Sequence, residues 1–560
     1  MEKVNILGAG LAGLSAAILL AEKGVPSRLV SPQPSERAQS VLAEGGINAA
    51  LNIMGENDTT EEHYADTMRG GVYLADPNAV RNLTENAPET VLRLRALGVP
   101  FHMENGRMIQ RNFGGQKKKR TAYAKASTGK ALMTALIDEA RKYEAAGVIE
   151  RFPHHELLKL QIRNKECKGV YLRDIWKEEA LYFSGPVIAA FGGFNGLFPG
   201  RTTGTTQNTG DALAVVFSQG AELANPEFLQ FHPTTVQIDG KCMLVSEAAR
   251  GEGGRLYIER DGSPWYFMEE KYPELKNLMP RDVISREMTL VSSLPECGGQ
   301  VFLDLTGLSK NVWERRLPDL RKQLKHYIGI DPAKTSVPVR PGIHYFMGGL
   351  HVDEDHRTNI RGFYAAGECA CQYHGANRLG GNSLLGAVYG GKKAAAAVLA
   401  DRQPAEENAP AGSGLQVSSG LQVPPILQGS PMEGAYSAIP EDELRSLNVR
   451  PAVSEKLAEI LMEGLSILRD ENSLFHAVQK ADALMEEELT EMERKRAVLG
   501  KALLLSAAER RESRGSHTRT DYPERNDGMY RKTTVASWDG NEIRIRFEDI
   551  PEAFPQGRRS

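Results

Sequence analysis

The sequence predicts an α/β protein: a doubly wound nucleotide-binding domain, interrupted by an inserted α+β segment and followed by a helical domain. Three observations carry this expectation. The chain opens on a strand, a glycine-rich turn and a helix. Strand and helix patterns then alternate to about residue 235 and return near residue 362. Finally, residues 452–512 hold a helical period of Leu, Ile and Met among mixed charges. Alternating strands and helices build parallel sheets covered on both faces, whereas a sustained helical period builds a bundle. A chain of 560 residues also exceeds what one core fills, so several domains are required.

Taken in order, Lys3–Leu7 reads as a strand, the next turn opens a helix running to about Lys23, and Ser27–Ser31 reads as a second strand. Residues 85–97 and 129–146 have helical periodicity, and Pro186–Phe191 is a short apolar strand running into Gly192-Gly193. The expected organisation assigns 1–235 and 344–400 to the nucleotide-binding domain. It assigns 236–343 to a capping domain, with the substrate site at the interface between them. Residues 401–432, rich in Pro, Gly, Ser and Gln and containing the tandem repeat Ser413–Val423, read as a linker or insertion. A helical domain over 433–515 and a basic, strand-like tail over 516–560 complete the chain.

Bulk properties exclude several functions. A formal net charge of −4 gives no reason to expect nucleic acid as a partner. The five cysteines form no CxxC pair and no CxxCH, so the chain holds no iron–sulfur centre of ordinary ligation and no attached haem. No run approaches the roughly 18 apolar residues of a membrane span, and the first residues read as a strand rather than a leader. The expectation is a cytoplasmic protein without direct membrane insertion, peripheral at the inner face of the cell membrane only through partner subunits.

The turn Gly8-Ala9-Gly10-Leu11-Ala12-Gly13 has the GxGxxG spacing and stands between a strand and a helix. The first glycine permits the tight turn, the second lets backbone approach a pyrophosphate, and the third lets helix and strand pack closely. The acidic ribose partner expected after the second strand is replaced by Ser31, whose hydroxyl can also bond a ribose. Two later segments point to FAD. Asn208-Thr209-Gly210-Asp211-Ala212 resembles a Thr-Gly-Asp segment of large flavoproteins, and Phe363–Glu368 resembles their late F/Y-A-A-G-E segment, whose acid (here Glu368) holds ribose.

Eight ordered segments then resemble the succinate dehydrogenase/fumarate reductase flavoprotein family across nearly the whole chain. They are Glu44–Ile47, Phe113–Gly115, Gln230–Thr234, Ser246–Gly254, Pro280–Arg286, His344–Gly349, Gly375–Leu384 and Glu512–His517. The resemblance implies a Rossmann-like FAD-binding domain carrying an inserted capping domain, and a C4 dicarboxylate substrate. Two carboxylates call for guanidinium and imidazole donors of fixed geometry. The resemblance assigns Arg378 and His344 to one carboxylate, and His232 and Ser246 to the other. It implies hydride transfer from flavin N5 and protonation through Arg281, with Glu247 and Arg250 relaying the proton. Along the FAD it places Gly8, Gly10, Ala12, Gly13, Ser31, Ser40, Gly45, Gly46, Asp211, Glu368, Ser383 and Leu384.

Two positions discriminate within the family. The L-aspartate oxidases resemble this chain but carry Glu where Phe113 stands, a carboxylate suited to an ammonium group that a phenyl ring does not supply. Phe113 therefore favours a dicarboxylate without an amine. The family's flavin-tethering histidine falls six residues before the Gly-Gly, where this chain has Gln39, and the first histidine in the chain is His63. An amide is not nucleophilic, so the resemblance implies a non-covalent FAD and favours fumarate reduction over succinate oxidation. Electrons must come from outside, and the expected partner is an iron–sulfur electron-transfer subunit. L-Aspartate oxidation and reduction of another unsaturated acid are the alternatives. A non-catalytic flavin-binding scaffold would not need Arg281, His344 and Arg378 together.

Overall fold

A computed structural model describes residues 2–125, 127–238, 240–402 and 433–553. Its centre is a five-stranded parallel sheet in the order Phe363–Ala365, Val187–Ala189, Val4–Leu7, Ser27–Ser31, Ile149–Pro153. Val4–Leu7 lies in the middle and is wholly buried, as expected for a parallel strand covered on both faces. Helices Leu11–Glu22, Thr128–Ala145 and Asn382–Asp401 pack on this sheet with Ile6, Leu14, Leu29, Leu136 and Leu385 in one core. The first and last of these helices cross closely at Gly391, where an added Cβ would stand 2.1 Å from the Ala12 carbonyl oxygen. The sequence pattern over 85–97 is the helix Ala87–Ala96, with Pro88 in its first turn; it follows a separate helix, Pro77–Glu85, at the junction residue Asn86.

A second, antiparallel layer is formed by His155–Arg163, Glu166–Asp174 and Glu179–Ser184, with Tyr436–Ala438 added at its edge. The chain thus returns from the 401–432 segment, most of which lies outside the described residues with its tandem repeat, as a strand on the nucleotide-binding body. Only after it do the helices Pro451–Gly464, Glu471–Met485 and Glu491–Glu509 pack together. The tail folds as the hairpin Lys532–Trp538/Ile543–Asp549, which pairs with Leu223–Ala224 of the main body.

The inserted segment builds a six-stranded sheet with its own core, including Ile258, Phe267, Ile284, Trp313 and Leu324. Two long strands, Leu229–Ile238 and Val337–Phe346, run antiparallel from the nucleotide-binding body into this sheet. The expected boundaries at 236 and 343 fall inside these strands. Their register opposes His232 to Gly342, with irregularities at Gln230/Phe231 and between His232 and Thr235. Bulges re-aim side chains, and here the His232 and His344 rings meet edge to face, 5.1 Å apart.

Candidate active site

One elongated cavity of about 490 Å³ runs through the molecule. One end is walled by Ser31–Gln33, His155–Leu158 and Asp211, and the other by His232, Ser246, Glu247, Arg281, His344 and Arg378. Between them lie Gly8, Gly10, Ala12, Ser40, Gly45, Gly46, Glu368, Ser383 and Leu384. Gly8 takes φ +126°, and a Cβ there would stand 2.1 Å from the Ala190 carbonyl, so only glycine makes this turn. Gly13 faces away from the cavity; a Cβ on it would lie 1.8 Å from the Gly8 carbonyl, which makes it the packing glycine.

The helix Leu11–Glu22 begins at Gly10 with no side-chain cap and no acid in its first turn. The helix Asn382–Asp401 begins at Gly381 in the same way. Two uncapped N-termini without acids give the cavity positive dipole ends and open backbone donors, which suits a diphosphate and an electron-rich ring. Ser40 is partly used, since its Oγ accepts from Leu11 N at 3.3 Å. Ser31 donates to the Gln33 carbonyl at 2.7 Å, so toward a ribose its hydroxyl can only accept. Asp211 differs from expectation in the same sense: both of its oxygens accept from Arg496, one at 2.9 Å. Glu368 accepts from Phe346 N at 3.1 Å, and burial pushes its carboxyl up to about 7.

The other end is a buried cationic pocket. Arg281 opens the helix Arg281–Ser292 directly after Pro280, whose ring presets the first turn. Its Nε donates to Glu247 Oε2 at 2.9 Å and its Nη2 to the same oxygen at 2.5 Å. Glu247 also accepts from Gly114 N at 3.0 Å and faces Arg250 Nη2 at 3.7 Å. Arg250 does not line the cavity; it stands one step behind Glu247, on the short helix Ala248–Gly251. Burial alone would raise the Glu247 carboxyl, but Arg281 and Arg250 outweigh it and hold it at about 2.

Gln230, which the sequence reading left without a role although it opens the Gln-Phe-His-Pro-Thr segment, joins the two cavity arginines. Its Oε1 accepts from Arg281 Nη1 at 3.1 Å and from Arg378 Nη2 at 2.9 Å. Its Nε2 donates to the Arg378 carbonyl and to Asn377 Oδ1, both at 2.8 Å, which fixes the amide orientation. Arg378 Nη1 donates to Ser383 Oγ at 3.1 Å, while Nε is buried with no hydrogen-bond partner among the described residues. Thr203, for which the sequence held no signal, meets His344 Nδ1 at 2.8 Å. Phe113 packs against Gly45 and Gly380 at the cavity wall.

The charge balance follows. Burial lowers Arg378 to about 9 and Arg250 to about 10, so both stay cationic at neutral pH. Burial, and next the Arg281 charge, holds His232 and His344 well below the usual imidazole range, so both are neutral donors or acceptors. Arg281 and Arg378 at the cavity, with Arg250 behind Glu247, therefore outnumber the one fully ionised carboxylate among them by two. Glu44 and Glu368, both on the cavity wall, are pushed up to about 7 by burial, so each is partly ionised at neutral pH and offsets them only in part. An unpaired buried charge is costly, so the pocket favours an anionic ligand.

A cavity that runs from a glycine-turn helix N-terminus to this pocket fits an FAD-dependent oxidoreductase. Residues 3–384 match the FAD binding domain model, and residues 488–559 match the fumarate reductase flavoprotein C-terminal model. The chain belongs to the succinate dehydrogenase/fumarate reductase flavoprotein family. It is 37% identical to the Bacillus subtilis succinate dehydrogenase flavoprotein subunit, over 100% of this chain and 98% of that one. It is 32% identical to the Wolinella succinogenes 8-methylmenaquinol:fumarate reductase flavoprotein subunit, over 98% of this chain and 90% of that one. An E. coli quinol fumarate reductase FrdA structure superposes with a TM-score of 0.83 at 26% identity, covering 100% of this chain and 98% of that one. Among the described residues no helix is long and apolar enough to cross a membrane.

Proposed function

We propose that this protein reduces fumarate to succinate with a dissociable FAD and electrons from an iron–sulfur partner subunit. The observation that carries the reading is the doubly cationic pocket backed by the Arg281–Glu247–Arg250 chain at one end of the FAD cavity. The glycine turn, Ser31, Ser40, Gly45, Gly46, Asp211, Glu368, Ser383 and Leu384 would hold FAD, which supplies a hydride from N5 when bound and reduced.

Arg378 and His344 hold one substrate carboxylate, and His232 with the Ser246 hydroxyl holds the other. Neutral imidazoles suit this role, because each offers one N–H without adding charge. The substrate lies against Arg281, which gives a proton to the alkene carbon opposite the one that receives hydride. That proton is restored from Arg250 through the ionised Glu247, which takes it up and delivers it to Arg281 in one concerted step, and Arg250 is reprotonated from solvent. Phe113 leaves no carboxylate at the position where an amine-bearing substrate would want one, which favours fumarate over aspartate.

The reductive direction rests on Gln39. It lines the cavity, and its Oε1 accepts from Thr205 N at 2.6 Å. An amide bonded in this way cannot attack the flavin ring. An untethered flavin is the better reductant by family analogy, so the couple runs toward succinate. Relatives carry both succinate dehydrogenase and fumarate reductase names, so the assay must separate the directions. Anaerobic oxidation of reduced viologen is measured with fumarate, succinate, L-aspartate and aryl-acrylates. Fumarate is expected to be the best oxidant; aspartate turnover with oxygen would refute the reading. Acid precipitation is expected to leave the yellow chromophore in the supernatant, and colour in the pellet would refute the untethered flavin.

A further inference from the structure

The end of the cavity away from Arg281 is closed by residues that belong to the C-terminal helices rather than to the nucleotide-binding body. Leu447, Asn448, Val449, Met492 and Arg496 all line it. Met492 and Arg496 are four residues apart on the helix Glu491–Glu509, and so share one face. The 447–449 loop is fixed to the start of that helix. Thr490 Oγ1 donates to the Asn448 carbonyl at 2.7 Å, and Arg450 N donates to Glu493 Oε1 at 2.7 Å. A capping box of Thr490 and Glu493 then holds the first turn. Both wall segments therefore move as one unit.

That unit is tied to the nucleotide-binding body at the cavity itself. Arg496 is 7% exposed and spends Nε and Nη2 on the two oxygens of Asp211, the acid at the start of helix Asp211–Ser218. Beside it, Arg173 pairs with Glu156 at 3.0 Å, also on the cavity wall. The adjoining wall is Ser31–Gln33, at the end of the second strand, where the adenosine half of a dinucleotide lies in this fold.

We propose that the helical region is a structural part of the FAD site. Arg496, with Asn448 and Met492, closes the adenosine end, and the Asp211–Arg496 pair latches that wall in place. FAD then enters only when the helices are undocked and is retained by their docking, which substitutes for the missing covalent tether. The retention arm rests on the untethered-flavin reading; the latch does not.

The test compares full-length wild type, Arg496→Met and Arg494→Met, the last altering a neighbour outside the cavity wall. Apo-protein is titrated with FAD, and binding is read from flavin fluorescence. Arg496→Met should raise the FAD Kd about tenfold or more, the loss expected of a charge-assisted contact, while Arg494→Met stays within about twofold. Hydrogen exchange on wild type with and without FAD supplies a second reading that does not depend on the variant folding. FAD should slow exchange in 447–449 and 490–500. An unchanged Kd in a folded Arg496→Met, or equal exchange in those segments, overturns the proposal. Should acid precipitation show a tethered flavin, the exchange comparison is made on chain produced without flavin. Protection there still supports the latch, and its absence still overturns it.

Discussion

Gln230→Glu is the most discriminating single change in the pocket. The wild-type amide is fully buried and gives one oxygen to both Arg281 and Arg378, at 3.1 and 2.9 Å. A carboxylate there keeps the shape and the two bonds accepted from Arg281 and Arg378, loses the two that Nε2 donates to the Arg378 carbonyl and Asn377 Oδ1, and adds one negative charge to the pocket. The new charge would sit behind Arg378, on the order of 6 Å from a carboxylate bound on its other side. At an effective dielectric of about 20 that costs about 3 kcal/mol of substrate binding, or about a hundredfold in affinity. The two cations offset part of the stability lost with the Nε2 donations, so Tm is measured alongside and KM is compared on folded protein. Gln230→Met is the uncharged comparison: it strands two buried donors at about 1.5–3 kcal/mol and should lower Tm without adding charge. The assay is viologen-linked fumarate reduction with KM and kcat separated, at equal FAD content. The expected result is a large rise in KM for fumarate and a smaller rise for a monocarboxylic enoate. A fumarate KM within about threefold of wild type would refute the claim that the pocket favours an anionic ligand by net charge.

Other predictions follow from the same geometry. Arg281→Ala should lower kcat by on the order of 10³-fold, the range of a lost general acid, with FAD still bound; retained turnover removes Arg281 from the donor role. Thr203→Val should raise the fumarate KM, because the Thr203 hydroxyl bonds His344 Nδ1 and thereby fixes which ring nitrogen presents the proton to the substrate. Thr203→Ser should restore it, and equal KM values in both variants would refute the assignment. Buried His63, His232, His344, His356, His374 and His517 all titrate below the usual imidazole range. Each lends stability that is present above about pH 6.5 and is lost, by up to about 1.4 kcal/mol per pH unit, as the pH falls below it. Denaturant melts of the apo-protein should therefore weaken steeply from pH 6.5 downward, and a flat profile to pH 5 would contradict the burial.

What the sequence made legible was local. The glycine turn, the strand Ser27–Ser31 and the start of the Arg281 helix are written in consecutive residues with fixed backbone requirements, so pattern reading located them. The pocket residues became legible as segments, since His232, Glu247, Arg281, His344 and Arg378 each sit in a motif. The sharing of Gln230 by two arginines depends on strand register and bulges between residues more than a hundred positions apart, and no local period encodes that. Thr203 lies in a run of Thr and Gly that reads as any loop. Arg496 reads as one more charged residue on an amphipathic helix, because its partner Asp211 lies 285 residues earlier. The same long range hid the tail hairpin, which joins a main-body sheet through Leu223–Ala224.

In the proposed relay the proton that refills Arg281 comes from a second arginine, Arg250, and burial lowers the cost of that step. A guanidinium at its ordinary value of about 12.5 would give up a proton at pH 7 for about 7.5 kcal/mol. Burial brings Arg250 to about 10, which cuts that to about 4 kcal/mol. Glu247, ionised and held at about 2 between two cations, is a weak base, so it carries the proton only in concert with its delivery to Arg281. In the proposed relay Arg250 refills the chain from behind, and because it does not line the cavity its replacement should affect rate and not substrate binding. Arg250→Met should lower kcat by on the order of 10²-fold and leave the fumarate KM within about threefold. Its solvent deuterium isotope effect on kcat should rise, since reprotonation of Arg281 becomes limiting. A variant that instead raises KM at unchanged kcat would mean that Arg250 only shapes the pocket, and that the proton reaches Arg281 by another route.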